Sequence, residues 1–500
     1  MGKMTRAIVL TVASVLLILP LAGCETHLNQ SPEYYTIARG SHNGGDFTIS
    51  HTSATIGTTI TLTVTSINDD MEFVRWTVAG DAMVNPVRQG TPNVWAFTMP
   101  AANITVSALF RSTVPATGQE LFEVLRGRGV QTGGWADHPS SGAGVTYANA
   151  ASLTFISPQT HPDPVARRQA FTSAINTPNA THTFIIVSGD IDLSDGRITD
   201  EPGHFPGVTD TNVSSRNFHV SSNTTIIGIN NARIMFGGLQ IINRQNVIIR
   251  NLTFWDARDT RPSPGLDHLL VNNGSTGIWL DHLKFSSGLT PFNAPGAGDW
   301  HDTLLNVRHG AVTVSWSEFT NGNEVLLVGS NDNEIDPEQR RVTLHHNYFH
   351  GARTRMPRTR GTQMHIYNNF FRNIGAPGGA FGGGYVMGPG INAHFVVQNN
   401  LFEAPIHQNR VIQWSFNNHG AVVWHSGNEG LPLNPASLTG GGSPAPVLTT
   451  DVALRPWNPA DFYAYALNSH GTVRDLRTLI PARAGPTLWT IEDFLTNLRD

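Results

Sequence analysis

The stretch RVTLHHNYF at residues 341–349 is followed at residues 363–371 by QMHIYNNFF, which has the same pattern. Each stretch begins with a short apolar and β-branched run, continues through an Asn, Asp or Ser position and ends in Phe. Four more stretches share this pattern: NVIIRNLTF (246–254), GIWLDHLKF (277–285), AVTVSWSEF (311–319) and HFVVQNNLF (394–402). Recurrence at this spacing indicates a repeat architecture in which each copy forms one structural unit.

The spacing of the repeated Phe residues favours a parallel β-helix. The six residues are Phe254, Phe285, Phe319, Phe349, Phe371 and Phe402, separated by 31, 34, 30, 22 and 31 positions. The shortest interval is close to one bare coil, and the longer ones fit a coil plus a loop. Because stacked coils place equivalent side chains above one another, we predict an internal stack of Phe rings and a hydrogen-bonded ladder of Asn side chains at the turns.

An antiparallel sandwich would also have short, regularly spaced strands, but it predicts tight Asn-Gly hairpins, of which the sequence has few. The β-helix is therefore favoured. The segment PVARRQAFTSAI (164–175) has apolar residues near helical spacing. We predict that this segment is a helix that caps the N-terminal end of the β-helix and covers its open edge.

Residues 34–110 alternate in hydrophobicity with period two, as in TTITLTVTS (58–66). Short alternating strands between Gly, Asn, Asp and Pro indicate a small all-β module. Its ending, FTMPAANITVSALF (97–110), resembles the repeat modules of bacterial cell-surface proteins. Trp76 and Trp95 fit a sugar-binding platform or a packed core, and the core is favoured. The predicted fold class is therefore all-β, a right-handed parallel β-helix preceded by a small β-strand module.

The N-terminus has the features of a signal peptide. Lys3 and Arg6 precede the apolar run AIVLTVASVLLILPLAG, and the next residue is Cys24, the only cysteine. LAGC resembles the lipobox of bacterial lipoproteins, in which the cysteine becomes the lipidated first residue. An ordinary secretory signal with an incidental cysteine is the alternative. We predict a signal peptide at 1–23, the module at 24–111, the β-helix domain at 112–500, and an extracytoplasmic protein held to a bacterial membrane or cell surface by lipid on Cys24.

Charge is sparse except in one cluster of arginines. Charged residues make up 14% of the chain and the formal net charge is -5, which argues against a nucleic-acid partner. The stretch TRMPRTRG (354–361), with the preceding Arg353, nevertheless contains four arginines. Because the cluster is local, its target is a small anionic group. Planar guanidinium groups match carboxylates in a way that ammonium groups do not.

Several motifs occur in a fixed order: IWLDH (278–282), HDTLLNVRHGAVTVSW (301–316), VTLHHNYFHGARTRMPRTRG (342–361), MHIYNNFFRNIG (364–375) and LIPARAG (479–485). In these residues the chain resembles the pectate lyases of polysaccharide lyase family 1, over roughly residues 184–485. The resemblance implies calcium-dependent β-elimination of polygalacturonate. In that reaction a base removes the proton at C5, next to the carboxylate, and the glycosidic oxygen leaves from C4.

The resemblance also implies the site residues. Arg355 takes the position of the catalytic arginine, and Arg360 that of its substrate-binding companion. The calcium ligands fall on Asp267, Asp302 and position 306. Residues 302 and 306 are four apart on a predicted strand, so their side chains should project from the same face. Calcium suits the role because it is hard, oxygen-seeking and flexible in coordination.

Two departures from the family pattern leave the activity open. Position 306 is Asn306 where the family has Asp, which removes one charge and should weaken calcium binding. In TNGNEVLLVG (320–329) the family's Asp-Lys pair is replaced by Asn323 and Glu324, so an acid stands where a lysine grips a substrate carboxylate. Glu324 fits three roles: supplying charge to the metal, changing substrate preference, or marking the loss of activity.

Three alternative functions follow. A polygalacturonase is disfavoured, because its Gly-His-Gly and Arg-Ile-Lys motifs are absent from the sequence. A pectin lyase would act on methylated pectin without calcium, but its pattern replaces the metal-binding acids by arginine, whereas Asp267 and Asp302 are retained. A non-catalytic, pectin-binding surface lipoprotein is the third alternative. We expect the protein to be a monomer whose only contact with the membrane is its lipid.

Overall fold

The structure is a computed structural model of the chain. It describes residues 32–42, 44–68, 71–80, 84, 86–91, 93–112, 118–126, 128–137, 150–178, 182–196, 198, 217–258, 266–288, 301–375, 384–414, 417–433, 435–438, 445–467 and 471–496. Cys24 and the predicted signal peptide lie outside these residues. Within the described part of the chain, no helix is both long and apolar enough to cross a membrane.

The N-terminal module consists of two four-stranded sheets, with strand orders β3-β1-β8-β5 and β2-β4-β7-β6. Its strands are β1 (Tyr34–Arg39), β2 (Gly45–Ile49), β3 (Ser53–Thr55), β4 (Thr59–Ile67), β5 (Met71–Gly80), β6 (Val87–Arg88), β7 (Val94–Thr98) and β8 (Ile104–Ser112). The alternating apolar residues meet in one core, in which Trp76 packs against Phe47 and Trp95. Both tryptophans thus belong to the packed core, the favoured of the two interpretations.

The remaining elements form a second, larger unit. Its helices are α1 (Gly118–Leu125), α2 (Pro164–Asn176), α3 (Leu476–Arg483) and α4 (Ile491–Thr496). Its strands are β9 (Ala150–Ile156), β10 (His182–Asp192), β11 (Asn217–His219), β12 (Thr224–Met235), β13 (Gly238–Ile242), β14 (Gln245–Arg250), β15 (Thr253–Trp255), β16 (Leu269–Asn272), β17 (Ser275–Asp281), β18 (Lys284–Ser286), β19 (Leu305–Val307), β20 (Gly310–Ser315), β21 (Glu318–Thr320), β22 (Leu326–Val328), β23 (Arg340–His345), β24 (Tyr348–His350), β25 (Arg358–Thr359), β26 (Thr362–Tyr367), β27 (Phe370–Ile374), β28 (Gly388–Pro389), β29 (Ala393–Gln398), β30 (Leu401–Ile406), β31 (Ile412–Trp414), β32 (Val422–Ser426), β33 (Glu429–Gly430), β34 (Pro435–Leu438) and β35 (Val447–Thr449).

These strands stack into three parallel sheets that run along one axis. The first sheet contains β14, β17, β20, β23, β26, β29 and β32, and the second contains β15, β18, β21, β24, β27, β30 and β33. The third sheet has seven strands in the order β11-β13-β16-β19-β22-β25-β28. Each coil contributes one strand to each sheet, so every strand pairs with its counterparts in the coils before and after. The prediction of a parallel β-helix with a small N-terminal β module is confirmed.

The predicted aromatic stack lies inside the β-helix. The rings of Phe254, Phe285, Phe319, Phe349, Phe371 and Phe402 follow one another with centroids 4.7 to 5.0 Å apart and planes within 13° of parallel. This spacing equals the distance between hydrogen-bonded strands, about 4.7–4.9 Å. Each ring is therefore one coil above the last, and the register of the coils is held by identical side chains.

The predicted Asn ladder lies at the turn between the first and second sheets. Asn347 donates through Nδ2 to Oδ1 of Asn369, Asn369 donates to Asn400, and Asn400 donates to Asn428, each over 2.9 Å. The same amides also satisfy backbone carbonyls, such as Leu344 O for Asn369. Because buried polar groups need partners, the ladder fixes the turn conformation in the four coils that it links.

The helices cover the ends and sides of the β-helix. α2 begins after Asp163, whose carboxylate accepts from the Ala166 amide over 3.0 Å, and it buries Phe171 and Ile175 in the main core. The prediction of a helix over 164–175 is confirmed. α1 and α4 cover β10, β12 and β14, while α3 packs on the second sheet and also receives the module, because Arg75 of β5 donates to the carbonyl of Ala482.

Candidate functional site

The predicted site residues lie on and beside the third sheet of the β-helix. Within β16, β19 and β22 alternate residues point into the core, such as Leu305 and Val307. The residues between them form an outward row in strand register, in which Asn306 is flanked by Leu270 and Leu327, and Leu327 pairs with Arg358. This row is the floor of the candidate site, and the segments that lead into these strands supply its charged side chains.

The three predicted metal ligands meet at Asn306, within this row. Asn306 donates through Nδ2 to Oδ2 of Asp267 over 3.1 Å. Asp302 lies close enough to raise the pKa of Asp267 by charge repulsion. The strand prediction for residues 302–306 is wrong in part, because β19 begins only at Leu305 and Asp302 belongs to the segment before it. Convergence on Asp267 therefore comes from a bend before β19 and not from alternation along one strand.

The electrostatics of Asp267 indicate a site for a cation. Burial, and then the neighbouring Asp302, raise the pKa of its carboxyl to about 8, although Arg308 and the hydrogen bond from Asn306 act in the opposite direction. Oδ1 of Asp267 and Oδ1 of Asn306 are both buried without a hydrogen-bond partner. Two orphaned oxygens beside a second carboxylate are what a hard, oxygen-binding cation would satisfy.

The donor set is small. Among the described residues, no three His, Cys, Asp or Glu side chains converge closely enough to hold a metal ion by themselves. Asp267 and Asp302 with the Asn306 oxygen nevertheless fit calcium, which takes six to eight oxygens and accepts carboxylates, amide oxygens and water together. The remaining positions would fall to water or to a ligand carboxylate.

Arg355 is held in an unusual backbone conformation in the segment before β25. Its φ is 63°, in the left-handed region that costs energy for a residue with a side chain. Two backbone hydrogen bonds hold it there: the Leu326 amide donates to the Arg355 carbonyl, and the Met356 amide donates to Val386, each over 2.7 Å. Met356 is fully buried, so its side chain anchors the segment while Arg355 points outward.

Glu324 of the preceding coil forms an ion pair with Arg355. The two residues are brought together by a parallel bridge between Glu324 and Thr354. Burial raises the pKa of Glu324, as does Asp302, while Arg355 lowers it. Glu324 therefore lies within electrostatic range of both Asp302, a predicted metal ligand, and Arg355. The sequence identified Glu324 as a departure from the family pattern, but it did not indicate that Arg355 is its partner.

The other three arginines of the cluster are half-buried and are not freely solvated. Arg353 donates to Asn323 Oδ1 over 2.7 Å, and Arg360 donates to Asp332 over 2.9 Å. Burial lowers the pKa of Arg353 and of Arg358, and Arg355 adds to both effects. Arg360 also lowers the pKa of Arg358, so Arg358 lies within electrostatic range of both arginines predicted to act on substrate. Four arginines against the two acids that pair with them, Glu324 and Asp332, leave the cluster with a net positive charge that would attract an anion.

A buried group beside the site was missed from the sequence. Asp256 accepts from His301 over 2.7 Å and pairs with Arg258, and these three side chains are almost fully buried. Since His301 precedes Asp302, this group fixes the segment that carries a predicted metal ligand. Asp256 and Arg258 follow β15 in a stretch with no motif, and only their spacing to the repeated Phe254 could have pointed to them.

Some motif residues proved to be structural. Asp281 of IWLDH accepts from Arg250 over 2.8 Å, from Ser315 over 2.6 Å and lies 2.8 Å from His282 Nδ1, all inside the protein. In LIPARAG, the Gly485 amide donates to Trp316. These motifs hold α3, the following segment and the coils together, away from the outward row of the third sheet.

Comparison with known proteins identifies the family. The family model described as pectate lyase matches residues 100–470. The chain belongs to the pectate lyase family. A second model, the divergent InlB B-repeat domain, matches residues 35–114, which contain the N-terminal module.

Relatives in the pectate lyase family match parts of the chain. A pectate trisaccharide-lyase of Thermotoga maritima is 40% identical over 166 residues, which are 31% of this chain and 41% of that protein. A pectate lyase of Bacillus subtilis is 31% identical over 207 residues, 37% of this chain and 49% of that protein. A pectate trisaccharide-lyase of Bacillus licheniformis is 28% identical over 287 residues, 56% and 72% of the two chains. The chain therefore spans about half or less of the length of the first two relatives.

Solved structures in the pectate lyase family share the fold. A thermostable pectate lyase superposes with a TM-score of 0.55 at 24% identity, covering 72% of this chain and 98% of that chain. A polygalacturonate lyase fused to a self-assembling amphipathic peptide gives 0.54 at 24% identity, covering 71% and 98%. At 24% identity, these superpositions show that the fold is shared and nothing beyond the fold.

Proposed function

We propose that the protein cleaves polygalacturonate by calcium-dependent β-elimination. The observation that carries the proposal is the arrangement along the third sheet: orphaned oxygens of Asp267 and Asn306 lie beside Asp302, and the arginine cluster around Arg355 lies two strands further on, before β25. A uronate chain bears one carboxylate per sugar, and the arginine forks would bind these groups in pairs of hydrogen bonds. Relatives that the chain resembles are named pectate lyase and pectate trisaccharide-lyase.

Each side chain has a distinct part in the proposed reaction. Asp267, Asp302 and Asn306 would hold the calcium, which when bound would offset the negative charge that develops beside C5. Arg360 would hold a substrate carboxylate. Arg355 would take the C5 proton, a role that rests on the family resemblance because guanidinium groups hold their own protons tightly. The C5 electrons would form the C4–C5 double bond as the glycosidic oxygen leaves C4.

The ion pair of Arg355 with Glu324 has to open before Arg355 can meet substrate. Opening becomes favourable if the substrate carboxylate replaces Glu324 as the partner of the arginine cluster, or if Glu324 turns towards the cation. The half-buried position of the pair makes it stronger than a surface pair but leaves a route for exchange.

The test is the ultraviolet absorbance of unsaturated uronates, followed on polygalacturonate with calcium and again with chelator. We expect absorbance to rise with calcium and to stop when chelator is added. Release of reducing ends without this absorbance would indicate hydrolysis and would contradict the proposal. Binding of polygalacturonate without cleavage under either condition would favour the non-catalytic alternative.

The Glu324–Arg355 pair favours a second candidate, a lyase for methylated pectin. An acid at the position of the family's lysine repels a charged uronate, while a methyl ester has no charge to repel. The same absorbance measured on highly methylated pectin and on polygalacturonate separates the two. Faster cleavage of the methylated polymer, unaffected by chelator, would identify the second candidate.

We also propose that Cys24 carries lipid and holds the protein to a bacterial membrane or cell surface, and that the β-helix acts as a monomer. The support for the anchor is the order of charged, apolar and small residues before Cys24. The support for the monomer is that a single chain supplies every side chain of the proposed reaction.

A further inference from the structure

A cavity of about 510 Å³ lies between the N-terminal module and the second sheet, outside the site described above. β5 of the module supplies Arg75 and Trp76, β24 supplies Tyr348 and His350, β27 supplies Arg372, and α3 supplies Arg477 and Ala482. Ligand cavities commonly have volumes of about 300–1,000 Å³ and occur where domains meet.

The lining of this cavity carries an excess of positive charge. Among the described residues that line it there are three arginines and no Asp or Glu. The nearest acids are already paired: Glu403 with Arg477, and Glu318 with both Lys284 and His350. Among the described residues, neither Arg75 nor Arg372 has an acid as an ion-pair partner of its own, although Glu318 lies near enough to act on the pKa of Arg75. The cavity therefore favours an anionic ligand.

The side chain of Arg75 brings an unsatisfied hydrogen-bond donor to the cavity. It donates to the carbonyl of Ala482 near the C-terminal end of α3, but its Nε is buried without a hydrogen-bond partner. Burial lowers the pKa of Arg75, against the effect of Glu318. A buried donor without a partner destabilises the folded state, so an anion in the cavity would satisfy the Arg75 Nε.

A second cavity extends the first along the axis of the β-helix. It has a volume of about 520 Å³ and shares Arg372 and Arg477 with the first. Its lining also includes Glu403, which pairs with Arg477, and Glu429, which pairs with Arg474 over 2.8 Å, so its net positive charge comes from Arg372. The strands behind the two cavities, β24, β27, β30 and β33, belong to successive coils. An elongated groove with shared arginines suits an oligomer better than a single small ion.

We propose that this groove, from Arg75 to Arg474, is a second binding site for an anionic oligosaccharide of the uronate class, separate from the site of cleavage. The guanidinium forks of Arg75 and Arg372 match the carboxylates of uronates. The choice of uronate rests on the proposed function. A polymer held in both places would be retained more strongly than by either one.

The test measures binding without cleavage, by calorimetry with trigalacturonate in the presence of chelator. The full chain carries Arg355→Ala and Arg360→Ala, so that the site of cleavage does not contribute. We expect binding of one trigalacturonate, and a loss of affinity of ~10-fold or more when Arg372→Gln is added, because a charged hydrogen-bond partner is removed. Arg244→Gln, at another half-buried arginine, is the matched control and should leave binding unchanged.

The outcomes separate this inference from the proposed function. No binding in the double variant, or equal binding after Arg372→Gln and Arg244→Gln, would overturn it, whether or not the wild-type protein is a lyase. Inorganic sulfate that binds as tightly as trigalacturonate would indicate a site for small anions and would also overturn it. If Arg372→Gln unfolds, Arg372→Lys keeps the charge but loses the fork, and we still expect weaker binding from it.

Discussion

At the scale of single residues, replacing the two arginines assigned to substrate by lysine should affect different kinetic constants. Arg355→Lys keeps the charge but loses the guanidinium fork and its geometry, so turnover should fall ~10²- to 10⁴-fold with binding largely retained. Arg360→Lys should mainly raise KM, because a point charge still attracts a carboxylate. Steady-state kinetics on polygalacturonate measure both. Near wild-type turnover in Arg355→Lys would remove Arg355 from the chemistry.

Asn306→Asp tests the proposed cation site through thermal stability as well as through activity. The substitution removes the hydrogen bond that Asn306 donates to Asp267 and adds a second negative charge beside Asp302, so Tm should fall in chelator. With calcium the extra charge should strengthen binding, so Tm should rise and half-maximal activity should need less calcium. Asn273→Asp, at an exposed turn, is the control and should show neither effect. An unchanged response to calcium would exclude Asn306 from the site.

The residues that could be read from the sequence are those whose chemistry is repeated or belongs to a motif. Phe319 and Asn369 were predictable because each coil needs the same side chain in the same place. The Arg355–Glu324 pair was not, since Glu324 belongs to the previous coil and departs from the family pattern. The bend that puts Asp302 before β19 was also missed, because short strands and turns have no distinct periodicity.

At the scale of structural elements, the Asn ladder should contribute strongly to stability. Asn369→Ala removes three donated hydrogen bonds and the acceptor of Asn347 at a fully buried position. We expect a loss of about 2–4 kcal/mol in the free energy of unfolding, measured by chemical denaturation. Asn428→Ala, at the half-buried end of the ladder, should cost less. Equal losses of unfolding free energy in the two variants would mean that burial does not determine how much each ladder residue contributes to stability.

The buried group around Asp281 predicts a dependence of stability on pH. His282, Arg250 and the hydrogen bonds hold the pKa of Asp281 well below its usual range despite burial. A depressed pKa stabilises the folded state above the unfolded value of about 4, and this contribution is lost as pH falls further. Asp281→Asn should cost about 3–5 kcal/mol at pH 7 because Arg250 loses the carboxylate that balances its buried charge.

The same denaturation series between pH 3 and pH 6 provides the control for Asp281. Wild-type stability should fall as the pH drops below about 4, and the fall should be shallower in Asp281→Asn. Parallel curves for the two proteins would show that other carboxylates, such as Glu318, account for the acid sensitivity.

At the scale of the whole molecule, the proposed anchor is tested by fractionation without detergent. Wild-type protein should sediment with membranes, while Cys24→Ser should be released, because one thiol carries the whole attachment. A wild-type protein that is soluble under these conditions, as the variant should be, would contradict the anchor. Thr36→Ser, in the module, serves as the control and should sediment with wild type.

One contact joins the beginning and the end of the β-helix. Asn251, in the turn after β14, donates to the Leu488 carbonyl over 2.7 Å and accepts from the Leu488 amide over 2.9 Å, although the residues are 237 positions apart. A ribosome delivers residue 251 long before residue 488. The intervening coils can stack before then, but this early turn gains its two hydrogen bonds only after residue 488 has been synthesised, so the fold around it is completed late.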